Sequence, residues 1–167
     1  MEIYNYIIKL KKLIHGFVEN KINELIRYKR AIATRYAWSY IGTFYLWGGD
    51  DPSGFDCSGF VIEILKSVGL LEPHKDMTSE NLFKRFEKYQ VKSPYEGCLV
   101  FFANSKGKIT HVEYCIDKFH TIGASGGTSK TLTIKDAIRN NAFVKIRPIV
   151  SNRKIFAFVD PFKSILP

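Results

Sequence analysis

No run of apolar residues in this 167-residue chain approaches the roughly 20 needed to cross a bilayer, so no membrane-spanning helix is expected. The opening MEIYNYIIKLKKLIHGF also lacks the layout of a secretory signal, because Glu2 precedes the apolar part, lysines interrupt it and no small-residue cleavage site follows. Cysteine is scarce. The three present, Cys57, Cys98 and Cys115, have spacings that match neither a metal knot nor a disulfide framework. No metal or cofactor is expected. Acidic residues are in deficit, 16 against 25 Lys and Arg, and the net charge of +9 suits polyanionic partners. No nucleic-acid-binding motif accompanies that charge, and the aromatics are scattered through apolar runs. A solvated basic surface is therefore expected, with no nucleic acid bound. Repeats, low-complexity tracts and linkers are absent, while 46% hydrophobic content suffices for one good core.

What is present falls into helices first and strands afterwards. Ile3, Ile7, Leu10, Ile14 and Phe17, followed by Val18, Ile22, Leu25 and Ile26, place an amphipathic helix over 3–28. The first 30 residues carry seven Lys and Arg against three Glu. Attachment to a membrane surface or a partner protein is open to such a helix. Packing on its own domain is the more ordinary expectation. A second helix is expected over 31–41, so the chain divides into an extension, 1–30, and a domain, 31–167. Further helices begin at Cys57, ending at Gly69, and after a Thr78 or Ser79 cap. Short β-rich runs follow at 98–103, 109–116, 119–124, 143–149 and 155–160. This order argues for an α+β fold with a mostly antiparallel sheet.

The stretch YLWGGDDPSGFDCSGF, 45–60, delivers one thiol on a loop of turn-formers. Gly48, Gly49, Pro52 and Gly54 exclude regular structure, and Cys57 then sits on the first turn of a helix, where unpaired N–H groups and the helix dipole favour an anion. Cys98 and Cys115 lie in apolar runs and read as buried side chains. In ITHVEYCI, alternation puts Val112, Tyr114 and Ile116 towards the core and Ile109, His111, Glu113 and Cys115 on the other face. A helix packed on that second face would bring Cys57 against His111 as a thiolate–imidazolium pair.

YLWGG, FDCSGF and ITHVEYCI together resemble the signature segments of the NlpC/P60 cysteine peptidases, over about residues 31 to 160. The resemblance implies a papain-like α+β fold and hydrolysis of bacterial wall peptides, commonly after γ-D-glutamate and before a diamino acid. It makes Cys57 the nucleophile and His111 the base. The Cys57 N–H and the Tyr45 hydroxyl become oxyanion donors, and Asp56, with Ser58 beside the thiol, a binder of a substrate amine. Asp56 and Ser58 are equally suited to capping the helix, and Tyr45 to packing. The family's third polar residue falls at Gly123, which cannot orient a ring. Glu113, two residues beyond His111 on the same strand face, is the expected substitute, with Thr121 and Ser125 as alternatives. Partners so implied are peptidoglycan peptides, and an anionic wall polymer, membrane or partner protein through the basic helix. Phage-borne, lysis-released or injected delivery to the cell wall is expected, the cytoplasm otherwise. A phage tail or effector amidase, or an inactive wall-binding module, are the alternative functions.

Overall fold

The computed structural model describes residues 2–150 and 152–166. Helix α1 runs unbroken over Glu2–Ser39, where two helices were expected. Residues 29–31 hold neither Gly nor Pro, so nothing in KRA stops the first helix before the second begins. The boundary drawn at residue 30 therefore falls inside one helix. Only the later part of α1 packs. Ala33 and Ala37 are wholly buried, with Ile26 and Ile32 half-buried beside them. Thr34 shares a hydrogen bond with the Tyr114 hydroxyl at 3.0 Å, and Arg30 reaches both Asp160 carboxylate oxygens, at 3.2 and 3.0 Å.

The earlier part does not cover the domain as expected. Tyr6, Leu13 and Phe17 are 68, 71 and 63% exposed, and Ile7, Leu10, Ile14 and Val18 are exposed with them. The side chain of Ile3, from the same stripe, lies outside the described residues. At about 100° per residue, Ile26, Arg30, Ala33 and Ala37 share one side of α1, and Tyr6, Leu10, Leu13 and Phe17 point nearly opposite. Every described side chain from Tyr4 to His15 is exposed whichever way it faces, so this part of the helix runs clear of the core. Among the described residues no helix is long and apolar enough to cross a membrane.

After α1 come a two-residue hairpin, β1 (Asp50–Asp51) with β2 (Gly54–Phe55), then α2 (Cys57–Ser67) and α3 (Ser79–Phe86). A six-stranded sheet follows, made of β3 (Gln90–Val91), β4 (Leu99–Ala103), β5 (Ile109–Cys115), β6 (His120–Ser125), β7 (Phe143–Pro148) and β8 (Lys154–Val159). Its order is β3-β8-β4-β5-β6-β7, with antiparallel pairing throughout. A short helix, α4 (Ile134–Arg139), opens on a Thr133–Asp136 capping box where no element was expected.

Helix α2 lays Phe60, Val61, Ile64 and Leu65 against Val112, Tyr114, Ile122 and Val144, all fully buried. Each such side chain contributes about 1.5–3 kcal/mol through burial. A smaller cluster of Cys98, Val100, Phe102, Cys115 and Ile149 covers the opposite face. Two expectations about β5 are corrected here. The helix packs on the Val112 face, not on the His111 face. Ile109 also joins the main core, because Phe102 pairs with His111 but Ala103 with Ile109, leaving Thr110 as a bulge that flips the alternation.

Candidate active site

The loop before α2 is built to hold its first turn. Asp56 is the N-cap: Oδ1 accepts from the Ser58 and Gly59 amides at 2.9 and 2.8 Å and from the Ser58 hydroxyl at 2.9 Å, and Oδ2 accepts from the Gly48 amide at 3.1 Å. The Asp56 amide donates to the Gly49 carbonyl at 2.8 Å. Gly59 is required by this crossing, since a Cβ there would stand 2.1 Å from the Gly49 oxygen. Asp56 and Ser58 thus spend most of their bonding capacity on the cap. Cys57, half-buried, begins the helix they fix.

The Cys57 thiol stands close enough to His111 to act on the charge of its imidazole. Although α2 seats on the far face, Cys57 precedes its apolar stripe. His111 Nε2 in turn lies 2.9 Å from Glu113 Oε1. Burial by itself pushes the imidazole's pKa down, but the bonds to Cys57 and Glu113, with their charges, outweigh it and raise the pKa to about 9.

Glu113 is fully buried and triply held. Oε1 also accepts from Arg153 Nη1 at 2.9 Å, and Oε2 accepts from the Thr121 hydroxyl at 2.5 Å. Burial pushes its carboxyl up, yet His111 and Arg153 together hold it well below the usual carboxylate range. Its side chain fills the space beside Gly123, where a Cβ would meet Glu113 Cγ at 2.5 Å and its Cβ and Cδ at 3.1 Å. Of the alternatives, Thr121 holds Glu113, while Ser125 accepts from Arg147 at 3.3 Å. Arg153 lies with its guanidinium carbon 3.9 Å from the Phe102 ring centre, and His111 leans on the same ring at 5.9 Å.

Tyr45 is 3% exposed. Burial first, then the nearby charges of Cys57 and Asp56, push its pKa up, so its hydroxyl remains a proton donor beside the thiol. Cys98 and Cys115 are wholly buried as read, and burial pushes both thiols up, Cys98 to about 11. Arg153 went unread in the sequence. It sits 40 residues from Glu113 in a polar loop, and the sole pointer to it is that a carboxylate buried on a strand demands a cation. Among the described residues no group of three His, Cys, Asp or Glu is gathered to hold a metal.

A thiol at a helix start, set beside an imidazole carried by an antiparallel sheet, is the working arrangement of a cysteine hydrolase. Residues 42–147 match the NlpC/P60 family, and the chain belongs to that family. It is 31% identical over 112 residues to γ-D-glutamyl-L-lysine dipeptidyl-peptidase of Bacillus subtilis, covering 65% of this chain and 37% of that protein. Over 88 residues it is 33% identical to the probable endopeptidase p60 of Listeria seeligeri, covering 53% of this chain and 16% of that one. The chain thus spans well under half the length of these relatives. Among solved structures, an NlpC/P60 family protein from Bacillus cereus superposes with a TM-score of 0.62 at 24% identity, over 78% of this chain and 39% of its own. The peptidoglycan hydrolase RipB from Mycobacterium tuberculosis gives 0.58 at 23%, over 80% and 65% respectively. The α+β fold expected from the sequence is the fold these neighbours share.

Proposed function

We propose that the protein is a cysteine peptidase that hydrolyses peptidoglycan stem peptides, cutting after γ-D-glutamate and before a diamino acid. The observation that carries this reading is His111 held by Glu113 at 2.9 Å with the Cys57 thiol acting on its other side, in a chain whose relatives are named peptidases. With Nε2 bound to Glu113, Nδ1 is the nitrogen that exchanges a proton with sulfur. The thiolate adds to the scissile carbonyl, forming a C–S bond, while the Cys57 amide and the Tyr45 hydroxyl donate to the oxyanion. Imidazolium protonates the departing amine as the C–N bond breaks. His111 then takes a proton from water, which attacks the thioester and returns the thiol. Asp56 retains acceptor capacity on Oδ2 for a free substrate amine, which would select peptides with an open N-terminus.

An inactive wall-binding module gains interest only if Gly123 leaves the imidazole unsupported. Glu113 in that space favours the enzyme. The test is digestion of purified muropeptides read by mass spectrometry. New products split between γ-D-glutamate and the diamino acid, lost in Cys57→Ala, are expected. Intact muropeptides with wild-type protein would overturn the reading.

Attachment belongs to α1 in this proposal. Between Tyr4 and Val18 the helix carries Lys9, Lys11 and Lys12 and no acidic residue, beside the exposed Tyr6, Leu10, Leu13 and Phe17. Lysines flanking unpartnered apolar side chains fit an anionic lipid surface. The heptad-like spacing 3, 7, 10, 14, 17 meets Lys21 and Glu24 next, too short for a sustained coiled coil.

A further inference from the structure

The charges around His111 alternate through the site. Cys57, on α2, supplies the negative end when ionised, and His111 and Glu113 follow on β5. Arg153, from the segment between β7 and β8, closes the series. Around Glu113, Thr121 from β6 binds Oε2, Val100 is the apolar cross-strand partner from β4, the Cys115 thiol lies on the same strand, Gly123 contributes no side chain, and Lys145, paired across from Gly123 on β7, turns its ammonium to the Asn141 carbonyl. Arg147 bonds Ser125. Arg153 is therefore the second cation on the carboxylate, sharing Oε1 with His111.

We propose that Arg153 is a positioning residue of the active site: its guanidinium holds Glu113 ionised and aimed at His111, so that the thiolate–imidazolium pair persists into mildly acidic conditions. The proposal rests on the roles given above to Cys57, His111 and Glu113. Without Arg153 the buried carboxylate keeps its desolvation cost and loses one of its two cationic partners, so it takes up a proton at higher pH. Once protonated it no longer favours imidazolium, and the ion pair with Cys57 is lost. The planar guanidinium suits the place, because one face lies on Phe102 while Nη1 reaches Oε1. Phe102 thereby sets the height of both His111 and Arg153.

The experiment follows the rate of Cys57 alkylation by iodoacetamide against pH in the full chain, which needs no substrate. Arg153→Met is expected to move the acid limb up by about one unit, an about tenfold slower reaction on that limb, with the alkaline plateau within about twofold of wild type. Arg153→Lys, which keeps the charge, should restore most of the limb. In a Glu113→Gln background Arg153→Met should add no further shift, since the carboxylate it acts through is gone. If Arg153→Met does not fold, as judged by its near-UV circular dichroism, Arg153→Gln carries the same expectation. A limb coincident with wild type, or a shift undiminished in the Glu113→Gln background, would overturn the proposal. Failure of the hydrolase reading shows separately, as absent muropeptide cleavage beside a normal alkylation profile.

Discussion

Gly123→Ala is the sharpest perturbation of the site, because it adds one methyl group against the side chain that braces His111. The new Cβ would stand 2.5 Å from Glu113 Cγ, when ordinary contact begins at 3.4 Å, so the carboxylate arm must retreat by nearly 1 Å. Retreat is costly, since three hydrogen bonds pin the arm and its Cβ and Cδ are also crowded, at 3.1 Å. Replacing glycine in an extended strand gains about 0.4–1 kcal/mol from the unfolded chain. Overpacking costs about 1–3 kcal/mol. A net loss of about 1–2 kcal/mol lowers the melting temperature by roughly 2–8 °C in a chain of this size. Losing a bond to a charged carboxylate, worth about 1.5–3 kcal/mol, slows kcat/KM on a wall peptide by about 10- to 100-fold. In a Glu113→Ala background Cγ and Cδ are gone and only the Cβ contact at 3.1 Å remains, so the same methyl group should cost little, giving a coupling of about 1–2 kcal/mol in a double-mutant cycle. Wild-type kcat/KM and melting temperature in Gly123→Ala would refute the packing on which Glu113's role depends.

A limiting dose of thiol reagent on native protein should label Cys57 before Cys98 or Cys115, as peptide mapping would show, and faster labelling at either buried thiol would count against the site. The raised pKa of His111 stabilises the fold fully below its unfolded value near 6.5, and this contribution fades as pH rises through about 9, so the melting temperature should drop more between pH 6 and 9.5 in wild type than in Glu113→Gln. The same slope in both proteins would sink that linkage. Asp56→Ala removes the cap of α2 and should cost about 0.5–2 kcal/mol in chemical denaturation; no loss would mean the loop is held some other way. Leu13→Glu/Phe17→Glu should leave the melting temperature unchanged and abolish co-sedimentation with vesicles containing phosphatidylglycerol. Undiminished sedimentation, or a concentration-dependent dimer lost in the variant, would set aside lipid attachment.

The segment from Tyr45 to Phe60 was legible because its chemistry is local. Turn-formers, a cap and a thiol on a helix start are all decided within sixteen residues. The place of Glu113 was also readable, from period-two alternation and the gap that glycine leaves at 123. Ile109 was misread because a bulge is a property of strand pairing, and nothing in ITHVEYCI marks Thr110 as the extra residue. For the same reason alternation alone did not tell which face α2 covers. Arg153 stayed hidden because a partner supplied by a distant loop leaves no periodic trace. The course of α1 was missed differently. Its two stretches, 3–28 and 31–41, were each read as helical, but the opposed sides that carry the early apolar residues and the docking residues become meaningful only once a single helix joins them.

That opposition fixes an attitude in space. At about 1.5 Å per residue α1 is a rod of roughly 57 Å, with its apolar stripe on one side near the start and the domain seated on the other side near the end. Laid stripe-down on a bilayer, the rod carries the catalytic domain on its upper side. If α1 attaches as proposed, such a mounting would hold the active site off the lipid.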